Sequence, residues 1–389
     1  MKNGRQFMVV AGEVSGDLHA AKLVKAIRQS RPGADLGFFG AAGAELRRAG
    51  VEAIVDADHL SVVGLPEIAR ALPMFLRAFR ELKKEALRRK PEAVILVDFP
   101  DFNLKLAKSL KKEGLKIIYY ISPQLWAWRQ YRIKTIKKHV DLLLTILPFE
   151  KQWYAERGIS HVRYVGSPLA REVHPSVSRE GFCAGHSLDP SLPVIALLPG
   201  SRHKEIVRIL PVMIETAVRM MEKDRRLQFV IALAAERHRA EVEEAVRLVG
   251  EEGLKLPEKL PIVAGQTYDA LNASDAAAVT SGTATLETAI IGTPLAMVYK
   301  TSTFNYKLLR PMIDIDHFGL VNLIAGKRLV RELIQDDLTA EELGDELFRL
   351  LEPEENKKMR AELAAVSDQL GHGGASLRAA EAILETLGI

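Results

Sequence analysis

Asp98 and Asp101 stand in the run Asp98-Phe99-Pro100-Asp101-Phe102-Asn103, directly after the apolar stretch Val94-Ile95-Leu96-Val97. A carboxylate that follows a buried strand is partly desolvated, which raises its pKa and suits it to accept a proton. Asp98 is therefore the candidate base, Asp101 is suited to capping the next helix, and Asn103 adds an amide to the same strand end. The plain alternative makes both aspartates turn and cap residues.

Three further segments read as a strand, a tight turn and a helix start, where exposed amides hold anions or sugar oxygens. The first is Gly12-Glu13-Val14-Ser15-Gly16-Asp17, followed by a helix from Leu18 to Gln29; its spacing is neither a dinucleotide fingerprint nor a Gly-Lys-Ser/Thr phosphate loop. In the second, Gly200-Ser201-Arg202-His203-Lys204-Glu205, the forked, permanently charged Arg202 beside free amides suits a diphosphate. The third, Ser281-Gly282-Thr283-Ala284-Thr285-Leu286-Glu287, places hydroxyls at a helix start and a carboxylate one turn in. Glu287 there either accepts the hydroxyls of a ribose or balances the helix dipole. Each turn also reads as plain solvated structure; two such loops in one half favour a nucleotide diphosphate.

Trp126 and Trp128 lie in Ser122-Pro123-Gln124-Leu125-Trp126-Ala127-Trp128-Arg129, and no acid occurs between Ser122 and Val140. Aromatics among cations stack bases, sit at a membrane interface, line an acyl or sugar pocket, or simply pack. Residues 64–90 form a basic amphipathic stretch interrupted by Pro73, which reads as a headgroup-docking face or as a core helix with a solvated back. Residues 61–140 hold 18 Lys/Arg against 7 Asp/Glu, although the whole chain carries only +4, so the positive charge is regional.

The elements that must position these groups follow from patterning. The chain has 389 residues with 48% hydrophobic content, enough for two or three packed domains, and no repeat or low-complexity tract. Short aliphatic runs predict buried parallel strands at Gln6–Ala11, Ala93–Val97, Lys116–Ile121, Leu142–Ile146 and Val162–Val165. A second series falls at Val194–Leu198, Gln228–Leu233, Pro261–Val263, Ala276–Val279 and Leu295–Tyr299. Helical patterns between them give an α/β class of two Rossmann-like, doubly wound domains facing across a cleft, with ligands at the carboxyl ends of the strands. Gly166 to Pro193 reads as the linker, so the domains are expected at 1–175 and 176–365, with a C-terminal helix at about 366–389.

No apolar run approaches the ~20 residues of a spanning helix, so no segment is expected to cross a membrane. The N-terminal stretch is too short for a signal core and the single Cys183 forms no internal disulfide, and both point to the cytoplasm. The 10 histidines are scattered without metal-ligand spacing, so no metal and no cofactor is expected.

Taken together, these blocks, with Leu147-Pro148-Phe149-Glu150 and Asn322-Leu323-Ile324-Ala325-Gly326, resemble the lipid-A-disaccharide synthase family in order through nearly the whole chain. The resemblance implies a metal-independent, inverting glycosyltransferase of the GT-B type at the cytoplasmic face of a Gram-negative inner membrane. Its donor would be UDP-2,3-diacylglucosamine and its acceptor 2,3-diacylglucosamine 1-phosphate, giving the β(1→6) disaccharide and UDP. Carried over, Asp98 takes the proton of the acceptor 6-hydroxyl. Ser15, Gly16, Asp17, Asp101, Asn103, Trp126, Trp128 and Arg129 lie on the acceptor and lipid side. Gly200, Ser201, Arg202, Ser281, Gly282, Thr283 and Glu287 bind UDP, and Asn322 with the loop after it meets the nucleotide, among the UDP contacts, or the domain interface. Where the family often carries proline before that asparagine, this chain has Val321. The resemblance further implies a peripheral anionic membrane surface as partner, and a C-terminal segment that packs on its own N-terminal domain or is exchanged in a homodimer.

Two other readings stand beside it. A related sugar-nucleotide enzyme with a soluble substrate, such as a hexosamine 2-epimerase, would keep Arg202 and Glu287 but give residues 64–90 no substrate to meet; binding to anionic liposomes separates the two. A nucleic-acid binder would use the basic region, yet no nucleic-acid motif occurs, and a gel shift at moderate salt tests it.

Overall fold

In a computed structural model, all residues are described except 1–3, 61–64, 252, 255, 258, 303–305 and 307–316. The chain divides into two compact units, one made of residues 1–168 and 372–389, the other of residues 169–371.

The first unit is a seven-stranded sheet built from β1 (Arg5–Ala11), β2 (Leu36–Ala42), β3 (Glu52–Asp56), β4 (Ala93–Val97), β5 (Ile117–Tyr120), β6 (Leu142–Thr145) and β7 (Val162–Tyr164). Its order is β3-β2-β1-β4-β5-β6-β7 and every pairing is parallel. Successive side chains alternate between two buried layers. Phe7, Val9, Ile95, Val97 and Tyr120 face one layer, and Met8, Val10, Val94, Leu96 and Tyr119 the other. Burial on both faces explains why these strands are continuously apolar rather than alternating. Strand β2 escapes the sequence pattern because LGFFGAA has no branched side chain beyond Leu36, and β3 because EAIVD offers only the short pair Ile54-Val55 between acidic ends.

The helix Ala375–Leu387 completes this unit, placing Ala379, Ala380, Ile383 and Leu384 in the same layer as β1. Arg378 Nε donates to Val165 O at 2.8 Å, and Arg163 pairs with Glu385 at 2.5 Å. The sequence expectation of a helix over 366–389 is corrected: residues up to Gln369 belong to a separate helix, Pro353–Gln369, in the second unit.

The second unit holds β8 (Val194–Leu198), β9 (Gln228–Leu233), β10 (Ile262–Ala264), β11 (Ala276–Thr280), β12 (Leu295–Tyr299) and β13 (Glu332–Ile334), in the order β10-β9-β8-β11-β12-β13 and again all parallel. This unit starts at Leu169, earlier than the expected boundary after 175. The reason is local pairing. Asp269 accepts from Ser176 N at 2.5 Å and Val177 N at 3.0 Å, Arg179 pairs with Asp275 at 3.0 Å, and Phe182 and Cys183 are buried. The presumed linker is thus largely folded structure of the second unit.

The helix Leu65–Arg89 runs unbroken through Pro73, where the sequence suggested an interruption. From residue 72 onward its inner face carries Phe75, Ala78, Phe79 and Leu82, while Leu72 and Leu76 are 54% and 46% exposed. Part of its basic back is neutralised, since Arg89 pairs with Glu52 and Glu85, Arg88 with Glu85, and Lys83 with Glu113. Arg77, Arg80 and Lys84 have no ion pair among the described residues. No described helix is long and apolar enough to cross a membrane.

Candidate active site

In each sheet the chain reverses its direction of winding once, between β1 and β4 in the first unit and between β8 and β11 in the second. Ligands of open α/β sheets settle at such switch points, outside the carboxyl ends of the strands. The turn after β4 carries Asp98, beside the turn after β1; the turns after β8 and β11 carry Arg202 and Ser281 to Thr283.

Asp98 is tied down by its backbone on both sides. Its N–H donates to Tyr120 O at 3.0 Å, and its carbonyl accepts from the Tyr119 hydroxyl at 2.6 Å and from Asn103 Nδ2 at 2.8 Å. Asp98 and Phe99 are both left-handed, with φ of +48° and +50°. Phe99 stacks on Phe102 with ring centroids 5.5 Å apart, and Phe75 and Phe79 extend this half-buried aromatic group. A Cβ on Gly12 would lie 2.3 Å from the Phe99 ring, so only glycine fits the turn after β1. Burial first, and the negative charge of Glu13 second, push the Asp98 carboxyl up to about 6, against the opposing hydrogen bond from the Phe99 amide. A carboxylate so placed is ionised at neutral pH yet basic enough to accept a proton.

The other acceptor-side residues separate into exposed and internal groups. Ser15 is exposed at the start of the helix Val14–Ser30, so the turn is shorter and the helix longer than the sequence reading has them. Asp17 is buried, and its carboxylate accepts from Gly43 N at 2.7 Å and Glu45 N at 2.8 Å, which commits it to capping the loop after β2. Gly16 is buried in the same helix, near Val97 O. Asp101 is exposed and is held by Arg129 at 2.9 Å and by Arg132; it makes no cap hydrogen bond, because Phe99 occupies the cap position. The Arg129 guanidinium lies 4.2 Å from the centre of the 41% exposed Trp128 ring. Trp126, by contrast, is 5% exposed and donates to Glu150 at 3.1 Å, so it is an internal strut of its loop and not a ligand-facing aromatic. Burial raises the Glu150 carboxyl to about 7, opposed by hydrogen bonds from the Leu147 amide and Trp126.

In the second unit, Glu205 organises the turn after β8. One carboxylate oxygen accepts from Ser201 N at 3.1 Å, the other from Arg202 Nη1 at 2.9 Å. Gly200, at φ +114°, leaves room for that carboxylate, since a Cβ there would sit 2.6 Å from Oε2. The Arg202 side chain remains 75% exposed at the start of the helix His203–Lys223. In the turn after β11, Gly282 and Thr283 are exposed, Ser281 is half-buried with its amide bound to Val298 O at 2.9 Å, and the helix Thr283–Ile291 follows. Glu287 on that helix has no hydrogen bond or ion pair among the described residues, and burial raises its carboxyl above the ordinary value. Its charge contributes, after burial, to pushing the Tyr268 hydroxyl up to about 12.

Asn322, expected at the nucleotide or the domain interface, is turned inward in this structure. It is fully buried and its side chain makes four hydrogen bonds, from Nδ2 to Val330 O and Glu332 Oε1 and from the amides of Leu329 and Val330 to Oδ1, at 2.8 to 2.9 Å. That fills the donor and acceptor capacity of the amide, so Asn322 shapes the turn before β13 from within. Residues that the sequence reading leaves outside the site are Glu13, Tyr119 and Glu205. Each acts on a neighbour's backbone or charge, and only Glu205 had a legible clue, its i,i+3 spacing from Arg202. No group of three or more possible metal ligands occurs among the described residues.

Residues 7–385 match the family described as lipid-A-disaccharide synthetase. The lipid-A-disaccharide synthase of Myxococcus xanthus is 43% identical over 388 residues, covering 100% of this chain and 99% of that protein. That of Geobacter metallireducens is 41% identical over 385 residues, covering 99% and 98%. Among solved structures, a putative UDP-N-acetylglucosamine 2-epimerase from Listeria monocytogenes has a TM-score of 0.65 at 15% identity, covering 98% of this chain and 96% of that one. A glycosyltransferase from Rickettsia africae has 0.58 at 15% identity, covering 99% of each. At that identity the likeness concerns the fold.

Proposed function

From the premise that this chain belongs to the lipid-A-disaccharide synthetase family and is a glycosyltransferase of lipid A synthesis, we propose that it moves 2,3-diacylglucosamine from UDP to the 6-hydroxyl of 2,3-diacylglucosamine 1-phosphate. Asp98 takes the proton of that hydroxyl as its oxygen attacks the donor's anomeric carbon. The bond from that carbon to the diphosphate oxygen breaks, UDP leaves with the electron pair, and the anomeric centre inverts to the β(1→6) linkage. One base suffices, because UDP departs as an anion that needs charge stabilisation more than a proton.

The observation that carries this reading is the Asp98 carboxyl, raised to about 6 at a sheet switch point. Arg202 and the amides of the turns after β8 and β11 take the diphosphate, with Gly200, Ser201, Gly282 and Thr283 giving the backbone close approach, and Glu287 takes the ribose. Binding a diphosphate at Arg202 requires it to exchange or share Glu205. The exposed Ser15 and Trp128, the half-buried Arg129 and the half-buried phenylalanines beside Asp98 are assigned to the acylated acceptor. Leu72 and Leu76, flanked by Arg77, Arg80 and Lys84, support peripheral docking on the anionic inner face of a membrane. A homodimer would exchange the helix Ala375–Leu387; sedimentation at the mass of one chain removes it.

The test is mass spectrometry of products from the two lipid substrates on anionic vesicles, with chelator present. Disaccharide monophosphate and UDP are expected, with the protein sedimenting with the vesicles. UDP binding without disaccharide, and no vesicle association, turns the reading to a soluble sugar nucleotide.

A further inference from the structure

We propose that Tyr119 and Asn103 are positioning residues that hold the Asp98 carboxylate in its working orientation by clamping the Asp98 carbonyl, a role that rests on the reading of Asp98 as the base. The starting point is the backbone. Two consecutive left-handed residues, neither of them glycine, are disfavoured and persist only where the surroundings over-determine them. Asp98 and Phe99 are such a pair, and relaxation of Asp98 to an ordinary conformation swings its side chain away.

Tyr119 is the residue before the strand end that receives the Asp98 amide, and its hydroxyl donates to the Asp98 carbonyl at 2.6 Å. Asn103 Nδ2 reaches the same carbonyl at 2.8 Å, Val97 O at 3.2 Å and Val10 O at 3.5 Å. The amide nitrogen thus faces carbonyls of β1, β4 and the turn between β4 and its helix, at the point where the two switch-point strands end. Asn103 is fully buried, and its Oδ1 has no hydrogen-bond partner among the described residues. Turning the amide over would set that oxygen against three carbonyl oxygens. A buried acceptor left unmet is unfavourable, so the side chain is placed for its donors, at the expense of its own oxygen.

Tyr119 is likewise fully buried, so it acts through the turn and not on a reacting atom. Proton transfer needs hydrogen-bond reach, and a displacement of about 1 Å in a reacting group costs about 100-fold in rate. Substrate affinity, set elsewhere, is untouched by such a displacement.

The experiment measures kcat, donor KM, UDP affinity and thermal midpoint for Tyr119→Phe and Asn103→Ser, each alone and in an Asp98→Asn background. In folded Tyr119→Phe, kcat should fall about 10-fold with KM and UDP affinity within about twofold, and Asn103→Ser should fall further, towards about 100-fold. Neither substitution should lower the residual turnover of Asp98→Asn, because the group they aim is gone. Unchanged kcat in folded Tyr119→Phe, or the same fold-loss with Asp98→Asn, overturns the clamp while leaving the base reading intact. Full turnover by Asp98→Asn alone removes the base and the clamp together. Should Asn103→Ser fail to fold, Tyr119→Phe decides by itself.

Discussion

The turn after β4 is made of bulky residues in left-handed backbone, fixed by Tyr119, Asn103 and Tyr120, and its Asp98 carboxyl is largely desolvated. The turns after β8 and β11 contain Gly200 and Gly282; the second exposes Thr283, and the first ends in an Arg202 that is 75% exposed and held by a single carboxylate. Both regions lie at a switch point of a parallel sheet. The contrast follows from the chemistry proposed for each. A base must keep one orientation and a raised pKa, which calls for rigidity and burial. A diphosphate brings its own charge and solvation, so its site needs accessible N–H groups and a cation that can change partners.

The strongest way to break this comparison is Asp98→Asn. An amide cannot take the acceptor's proton, so kcat should drop by about 100-fold or more while UDP affinity, read by calorimetry, stays within about twofold. Near-normal turnover would make the rigid turn a structural device only. The pH profile sharpens the same point. Asp98 must be ionised to work, and its carboxyl is raised from 3.8 to about 6, so kcat/KM should be flat above that value and fall about tenfold per unit below it. A limb lying near pH 4, the ordinary carboxylate range, would deny the desolvation its role. The smallest expected effect comes from the second region. Arg202→Ala should weaken UDP binding by about 10-fold, and unchanged affinity would move the diphosphate away from the turn after β8.

Much of the candidate site can be placed from the sequence because chemistry and strand position coincide in the chain. Val94 to Val97 announce a buried strand, so the carboxylate that follows is desolvated wherever the sheet goes. The same logic located the turns after β8 and β11. It does not record that the side chains of Trp126, Asp17 and Asn322 turn inward to Glu150, to the amides of Gly43 and Glu45, and to the turn before β13. A polar residue that satisfies a distant backbone has the same local sequence as one that awaits a ligand. The strands β2 and β3 were illegible for a different reason, since β2 owes its place to pairing with β1 and β3 more than to the propensity of its glycines and alanines.

The amino-acid sequence by itself determined the family, the alternation of strands and helices, and the candidate base and diphosphate turns, because each of those depends on neighbours in the chain. Only the tertiary structure decided the strand orders that put those turns at the switch points, the return of the last helix to the first unit, and the partners of Asp98, Glu205 and Asn322. Those depend on contacts between residues far apart in sequence, such as Asn103 with Val10, which no local pattern records.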